Sequence, residues 1–455
     1  MKVIEQALVG FSNFIWGTPI LILLLGGGSF FLVYSRFIPF RFFGHAINVL
    51  RGKYDDKNDP GQINHFQALS SALAATIGVG NIAGVALAIT MGGPGTLFWM
   101  WLSALVGIAT KFFTCSLAIM FRGKDSSGEL QGGPMYVIIE GLGKRWKPMA
   151  YFFCFAGMFG VLPIFQANQL TQVVKDIVLI PNGWASAESV SSNWVIGISL
   201  MVLVGFVSLG GIKRIGDVAS KMVPAMVVLY VTSVLYIIFS NIEQVPGCFA
   251  LIFNDAFTAK SVLGGAVGAI IIAGARRAAF SNEAGVGTAP MAHGAAKTNE
   301  PIREGLVAML GPAIDTIIVC TMTGLAILIS GVWQTTETDG VTLTAKAFEA
   351  TIPGIGSFIL VLCVVVFAIT SMFSFSYYGT KCAGFVFGAK NQQYYNYFYV
   401  LTIIVGALVS LGTVISLIDS AFALMSFPTM ISALILAPKV MEAAKTYFIK
   451  VDQIK

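Results

Sequence analysis

Apolar runs long enough to cross a bilayer recur along the chain from residue 17 to residue 437, with short polar connections between them. A helix needs about 20 predominantly apolar residues to span the hydrocarbon core. On that rule the pattern predicts spans near 17–35, 66–90, 97–121, 149–175, 194–210, 221–240, 262–281, 304–331, 356–380, 397–414 and 419–437. The fold class that follows is an all-α polytopic membrane protein with eleven transmembrane helices. The first run, Trp16 to Tyr34, is long for the apolar region of a secretory signal, follows Glu5 and precedes no clean A-x-A site, so it reads as a span. Between Gly331 and Ile355, residues Thr344 to Thr351 carry a helix-like apolar pattern. A short re-entrant or surface helix on the outer side and a plain external loop are both compatible with it.

Composition agrees. Of 455 residues, 56% are hydrophobic and 11% charged, and the mean hydropathy is +0.80, against about 25% charged residues in soluble domains. That excludes a water-soluble enzyme, and with no polar module between the runs it predicts one membrane-embedded unit. The six cysteines show no C-x-x-C spacing and fall mostly inside apolar runs, so they are expected to pack as small residues rather than form disulfides or a zinc site. His45, His65 and His293 all fall in connections expected on the cytoplasmic side and form no metal cluster in the sequence.

Basic residues accumulate on the cytoplasmic side of membrane proteins. With the 36–65 loop inside, alternate connections and the C-terminal tail collect 23 of the 28 Lys and Arg, among them Arg36, Arg122, Lys144, Lys213, Arg276, Arg277, Lys381 and Lys439. The opposite side holds only Lys2, Lys175, Lys260 and Lys346, and Lys111 lies within a span. The asymmetry predicts a multi-pass protein of the inner (plasma) membrane with its N-terminus outside and its C-terminus in the cytoplasm. It also explains the net charge of +6, whose partner is membrane lipid and not nucleic acid, since no soluble basic face with interleaved aromatics is present.

An intact membrane helix satisfies its own backbone, and a break is tolerated only where protein, water or ligand replaces the lost bonds. The second span contains Thr76-Ile77-Gly78-Val79-Gly80-Asn81-Ile82-Ala83-Gly84, with two glycines and an asparagine at its middle. Gly80 to Gly84 alone also fits a small-residue packing face, but an amide side chain at the midplane needs partners. The seventh span carries Gly264, Gly265, Gly268 and Gly274 and then collapses into Arg276 to Pro290, polar and broken by Gly285 and Gly287. Two interrupted helices, one in each half, point to a transporter built from inverted repeats with its site at the breaks. The division is 1–65 for an extra N-terminal helix and cytoplasmic loop, 66–240 for the first repeat, 241–261 for an external connection, 262–438 for the second repeat and 439–455 for a tail.

Amides freed at the start of a half-helix suit a carboxylate, and carbonyls freed at the end of the preceding half suit a cation. The combination fits an amino acid beside a monovalent ion such as sodium. The ninth span adds Thr370, Ser371, Ser374 and Ser376, a denser run of hydroxyls than ordinary bonding back to the helix requires. Lys111 is expected to snorkel or cap carbonyls. Asp315 and Asp419, the latter at the outer end of the last span, are expected to pair structurally or else bind a proton or ion. Glu283 is expected to pair with Arg276 or Arg277 near the inner mouth as part of a gate. Gln166 and Asn168 either tie helices together or touch ligand.

The segments Gln67-Ala68-Leu69 through Val85, Met91-Gly92-Gly93-Pro94-Gly95, Phe98-Trp99-Met100-Trp101, Ala109-Thr110-Lys111, Gly132-Gly133-Pro134-Met135-Tyr136, Phe280-Ser281-Asn282-Glu283-Ala284-Gly285 and Ser376-Tyr377-Tyr378-Gly379 resemble the alanine or glycine:cation symporter family, and together they cover nearly the whole chain. The resemblance implies the fold shared with the bacterial leucine transporter, within the amino acid-polyamine-organocation superfamily, with a 5+5 inverted-repeat core. It also implies sodium-driven uptake of alanine or glycine by alternating access, sodium being co-transported, and no enzymatic activity. Carried onto this chain, it implies a sodium site from the carbonyls of Ala74, Ile77 and Phe367 with the hydroxyls of Thr370 and Ser371. Substrate would lie against Thr76, Gly78, Gly80, Asn81, Gln166, Phe280, Ser371 and Phe375. The ninth span departs from the family pattern, with Phe375 where a tryptophan is usual and Thr380 where a glutamate is. Loss of an indole enlarges a pocket and removes an N–H donor, which leaves open a same-fold carrier for a larger amino acid. The residues are also compatible with coupling to protons, and with an uncoupled channel or sensor.

Overall fold

The computed structural model describes residues 2–56, 58–208, 211–257, 266–335 and 338–454. Gly264 and Gly265 of the seventh predicted span, and Lys260 before it, lie outside the described residues. Among those described, everything regular is helical except a two-stranded hairpin, β1 (Gly123–Lys124) and β2 (Leu130–Gln131).

The chain opens with α1 (Lys2–Ile15) and α2 (Thr18–Tyr34), joined at a 47° bend. A second bent pair follows, α3 (His65–Thr76) and α4 (Gly80–Gly92), and then α5 (Thr96–Met120) and α6 (Lys144–Leu179), the last turning at 161–163. Next come α7 (Val190–Ser208), α8 (Gly211–Ser240) and α9 (Val245–Ala256). The second half has α10 (Ala266–Asn282), α11 (Thr288–His293), α12 (Pro301–Ser330), α13 (Gly340–Thr351), α14 (Gly356–Phe387), α15 (Gln392–Leu408) and α16 (Leu411–Ile454).

Each predicted span overlaps one of these helices. Seven helices among the described residues are long and apolar enough to cross a membrane, or nine when each bent pair is one span. One boundary differs in a way that matters: α14 runs to Phe387, so Lys381 lies inside the helix. α10 ends at Asn282, within one residue of the predicted end, so Arg276 and Arg277 are helical residues and not members of the connection to which the charge tally assigns them. The segment before residue 17 folds as α1, whose Ser12 and Asn13 face Arg276. The Thr344–Thr351 pattern extends back to Gly340 as α13. That helix is largely buried: Val341 N donates to Gln169 Oε1 at 3.0 Å and Thr342 Oγ1 to Asp176 Oδ2 at 2.9 Å.

One continuous apolar core runs from Trp16 to Val451, consistent with a single embedded unit. α6 packs on α16, α7 on α15 and α12 on α5, while α3 is held between α8, α14 and α11. All six cysteines are buried and unpaired with one another, as small packing residues should be.

Candidate functional site

α3 begins at a capping box: Asn64 Oδ1 accepts from Gln67 N at 2.8 Å and Gln67 Oε1 accepts from Asn64 N at 3.1 Å. It ends at Thr76 because Ile77 leaves helical geometry, with φ −74° and ψ 90°. Gly78 N donates not to the helix behind it but to Asn81 Oδ1 at 3.0 Å, while Asn81 N donates to Gly78 O at 3.1 Å. The asparagine thus reaches back three residues, as the N3 side chain of a capping box does, and satisfies an amide the break has freed. The chain enters α4 through one π-type turn at Gly80–Gly84, bent 51° from α3.

The glycines serve packing as well. A Cβ on Gly80 would stand 3.3 Å from the Phe280 ring and one on Gly84 3.9 Å from it. Phe280 meets Phe165 edge-to-face at 4.8 Å, which brings Gln166 to the same region just after the turn in α6. Thr76 Oγ1, Gln166 Oε1 and Ser374 Oγ are buried without a hydrogen-bond partner among the described residues. Such oxygens are costly to bury, and a polar ligand would satisfy them. Asn168, in contrast, ties helices: its Nδ2 donates to Gly406 O at 3.2 Å and Val409 O at 2.8 Å.

Across the break, Ser371 Oγ donates to Ala74 O at 2.9 Å. A Cβ on Gly78 would fall well inside contact distance of that hydroxyl. Thr370 bonds back to Val366 O at 2.9 Å and Phe367 O at 3.1 Å, the ordinary habit of a helical threonine. The crossing of α3 and α14 thus brings Ser371 to Ala74 and Gly78, whereas Thr370 turns to its own helix and to Met226 Sδ of α8 at 3.7 Å. Its oxygens are neutral carbonyls and hydroxyls, a donor set that suits an alkali cation. Phe375 lies one turn beyond Ser371, buried beside Tyr378 with ring centroids 6.2 Å apart.

The second break lies between α10 and α11. Glu283 takes a left-handed φ of +54°, uncommon for a side-chain-bearing residue, and Gly285 and Gly287 follow at +85° and +107°. A Cβ on Gly287 would stand 2.5 Å from Thr429 Oγ1. Asn81 joins the two breaks, since its Nδ2 donates to Ser281 Oγ at 3.4 Å, Asp315 O at 3.3 Å and Cys320 Sγ at 3.4 Å.

The charged residues depart from expectation in three places. Arg276 Nε bonds Asp419 Oδ2 at 2.6 Å and Arg277 bonds the same oxygen, so Asp419 pairs structurally but Glu283 does not pair with either arginine. Glu283 lies about 9 Å further along the axis than Arg277, beyond the end of α10, and its Oε2 takes the Thr288 hydroxyl instead. Lys111 is buried against Gly311, whose Cβ would stand 3.1 Å from its Nζ, so it does not snorkel. Finally, His65 at the start of α3 and His293 at the end of α11 both bond Glu304 of α12. Sequence reasoning does not single out Glu304, Ser281, Thr316 or Cys320 as site residues. Their only sequence signal is polarity inside a span, because their partners lie tens to hundreds of residues away.

Comparison with known proteins places the chain in a family. The profile of the sodium:alanine symporter family matches residues 1–455. An uncharacterized transporter of Haemophilus influenzae is 41% identical over 452 residues, 98% of this chain and 96% of its own. The sodium/alanine symporter AgcS of Methanococcus maripaludis is 39% identical over 446 residues, 96% of this chain and 95% of its own. The solved structure of MhsT in complex with L-phenylalanine matches with a TM-score of 0.60 over 84% of this chain and 98% of that one, at 12% identity, a likeness of fold alone and of the leucine-transporter type. With the family profile matched end to end and two relatives near 40% identity along almost their whole length, the chain belongs to the sodium:alanine symporter family and is a multi-pass membrane transporter, not an enzyme.

Proposed function

We propose that this chain carries a small neutral amino acid, alanine or glycine, into the cell together with sodium by alternating access. Sodium is cargo here, not a cofactor. The observation that carries the reading is the interruption at Ile77 to Val79, where Asn81 caps Gly78 N and the buried oxygens of Thr76 and Gln166 lack partners among the described residues. Substrate would rest against Thr76, Gly78, Gly80, Asn81, Gln166, Phe280, Ser371 and Phe375. Sodium would take Ala74, Ile77, Phe367, Thr370 and Ser371.

The reading includes eleven crossings arranged as inverted repeats over 66–240 and 262–438. α10 and α15, each of 17 residues, add two spans to the nine that are long enough. With Arg276, Arg277 and Lys381 removed from the tally, 20 of 28 basic residues still favour one side, which supports an outside N-terminus and a cytoplasmic C-terminus in the inner membrane.

One sodium entering down a potential of about 100 mV yields roughly 2.3 kcal/mol, and a tenfold gradient adds roughly 1.4 kcal/mol. At about 1.36 kcal/mol per tenfold that supports several-hundredfold accumulation of a neutral solute. Uptake into proteoliposomes with sodium and alanine varied independently tests the reading. Uphill alanine accumulation without sodium would reject sodium coupling, and sodium current unlinked to substrate would indicate a channel. Phe375 in place of the family's tryptophan favours a larger substrate as the second reading, which competition of labelled alanine uptake by other amino acids would reveal.

A further inference from the structure

Where α14 ends and the β1–β2 hairpin folds against it, the structure holds a cavity of about 340 Å³, within the size range of small-molecule sites. Its walls include Gln62, Asp125, Glu129, Tyr377, Lys381 and Lys390. In the orientation read above it opens on the cytoplasmic side, away from the breaks. The hairpin is pinned beside it, since Ala389 N donates to Ser126 Oγ at 2.8 Å.

The charges of the cavity are balanced in sign but differently engaged. Asp125 Oδ1 accepts from Ser127 N at 2.8 Å and Glu129 N at 3.1 Å, and Oδ2 from Gln131 Nε2 at 3.1 Å, so that carboxylate is taken up by the hairpin. Glu129 and Lys390 are exposed at the rim, whereas Lys381 is only 5% exposed. An ammonium has three donors. One goes to Met291 O of α11 at 2.9 Å, with Nζ 5.0 Å above the Tyr377 ring, and none of the ion pairs among the described residues includes Lys381. A buried ammonium without a carboxylate is costly and recruits a counter-charge. A buried cation facing an exposed carboxylate offers both signs that a zwitterion needs, while a simple anion would be repelled by Asp125 and Glu129.

A polar lane joins this cavity to the first break. Ala74 of α3 meets Ser371 of α14, and Gln62, just before α3, shares the cavity with Tyr377, so the two helices run in opposite directions. Ser71 and Ser374 therefore both lie one turn inward of the Ser371–Ala74 bond, and both hydroxyls are buried without a partner among the described residues. Tyr378, one turn further along α14, carries a third such hydroxyl. Ser371, Ser374, Tyr378 and Lys381 are spaced three, four and three residues apart, which makes one stripe of the helix about 15 Å long.

We propose that the cavity is a second amino-acid site at the cytoplasmic face, in which Lys381 takes the carboxylate of a small zwitterionic amino acid and Glu129 its ammonium, with the hydroxyl lane leading to it from the break. The choice of ligand rests on the transport reading above. A carboxylate at Lys381 competes with Met291 O, so occupancy loosens α14 from α11, and amino acid accumulated in the cell acts on the carrier from this side.

Equilibrium binding of labelled alanine to the purified full-length protein in detergent, with and without sodium, tests the proposal. The site at the break uses sodium, whereas the cavity supplies its own fixed ammonium. One alanine per chain should bind without sodium and a second when sodium is added. Lys381→Gln and Glu129→Gln should each weaken the sodium-free binding at least about tenfold. Propionate and ethylamine, each carrying one of the two charges, should displace alanine from it at least about tenfold less well than unlabelled alanine does. Thermal melting checks folding, and because Glu129 is exposed, Glu129→Gln carries the comparison if Lys381→Gln does not fold. No binding without sodium, sodium-free binding unchanged in every folded variant, or displacement by propionate as strong as by alanine overturns the proposal. Sodium that adds no second alanine removes the transport reading and leaves this site standing, whereas binding that depends wholly on sodium does the reverse.

Discussion

Substituting Gly78 by alanine tests the geometry of the first break most directly. The new methyl would overlap Ser371 Oγ, which is itself fully buried and bonded to Ala74 O at 2.9 Å. Ser371 must then rotate and give up that bond, which costs about 1–3 kcal/mol when the buried carbonyl is left unpaired. Overpacking of a dense interior adds about 1–3 kcal/mol. If the same oxygens hold sodium, the loss appears twice: a lower melting temperature in detergent, and a sodium half-saturation raised at least about tenfold for each 1.4 kcal/mol lost from the sodium-bound state. The second substitution, Ser371→Ala, separates the two effects. Ser371 Cβ would lie 3.5 Å from the new methyl, an ordinary contact. Gly78→Ala/Ser371→Ala should therefore melt like Ser371→Ala alone while keeping the raised sodium requirement. Wild-type melting and sodium dependence in Gly78→Ala would refute both the close approach and the assignment of Ser371 to the ion.

Asn81→Ala removes the acceptor for Gly78 N and the link to Ser281 and Asp315, so amino-acid binding measured by isothermal titration should weaken at least about tenfold, the equivalent of about 1.4 kcal/mol. Asp419→Asn leaves Arg276 and Arg277 without their shared carboxylate. Breaking a buried pair from one side costs about 3–5 kcal/mol, and the variant should lose folded yield by gel filtration, partly restored when Arg277 is also made Gln. Glu349 accepts from Gly354 N at 2.7 Å, Ser357 N at 3.1 Å and Ser357 Oγ at 2.8 Å, which holds its carboxyl below the usual range. A depressed acid stabilises above its unfolded pKa of about 4.3 and loses that contribution as pH falls through the folded value. Glu349→Gln should thus melt lower at neutral pH and lose less on acidification.

Hydrophobic length and the glycine-asparagine interruption are legible in the sequence because each is a local property. Twenty apolar residues imply a helix wherever they occur, and Gly78 to Asn81 announces a break whose cap lies three residues away. The pairing of charges is not legible. Arg276 and Arg277 look like loop cations when apolarity is the only guide, since a buried arginine and a cytoplasmic one differ only in whether a carboxylate such as Asp419 lies opposite, 142 residues away in the chain. Lys111 is misjudged for the same reason, its burial against Gly311 of α12 being a contact across 200 residues of chain. α1 escapes because it mixes polar and apolar positions and is too short to register as a span. The hydroxyl run of α14 stands out in the sequence as a group, yet only the structure separates Thr370, bonded to its own helix, from Ser371, bonded across to α3.

The placement of these bonds decides how a cation could act on shape. α3 and α11 are tied together at one end by His65 and His293 on Glu304 and by the bridge between Ile63 and Ala296, where Lys297 N donates to Ile63 O at 2.7 Å. Near the breaks Asn81 ties α4 to Ser281 of α10. Phe280 lies on Gly80 within this joined pair, so the residues assigned to substrate belong mostly to one body. The residues assigned to sodium do not: Ala74 and Ile77 are on the pair, whereas Phe367, Thr370 and Ser371 are on α14. Separating α14 from α3 breaks the Ser371–Ala74 bond and divides the cation's donors. A ligand shifts an equilibrium only by its differential affinity for the two states, and an ion whose donors lie on both sides of a seam has that difference built in. Sodium bound there would favour the closed seam, and its departure would release α3 and the amino acid beside it together.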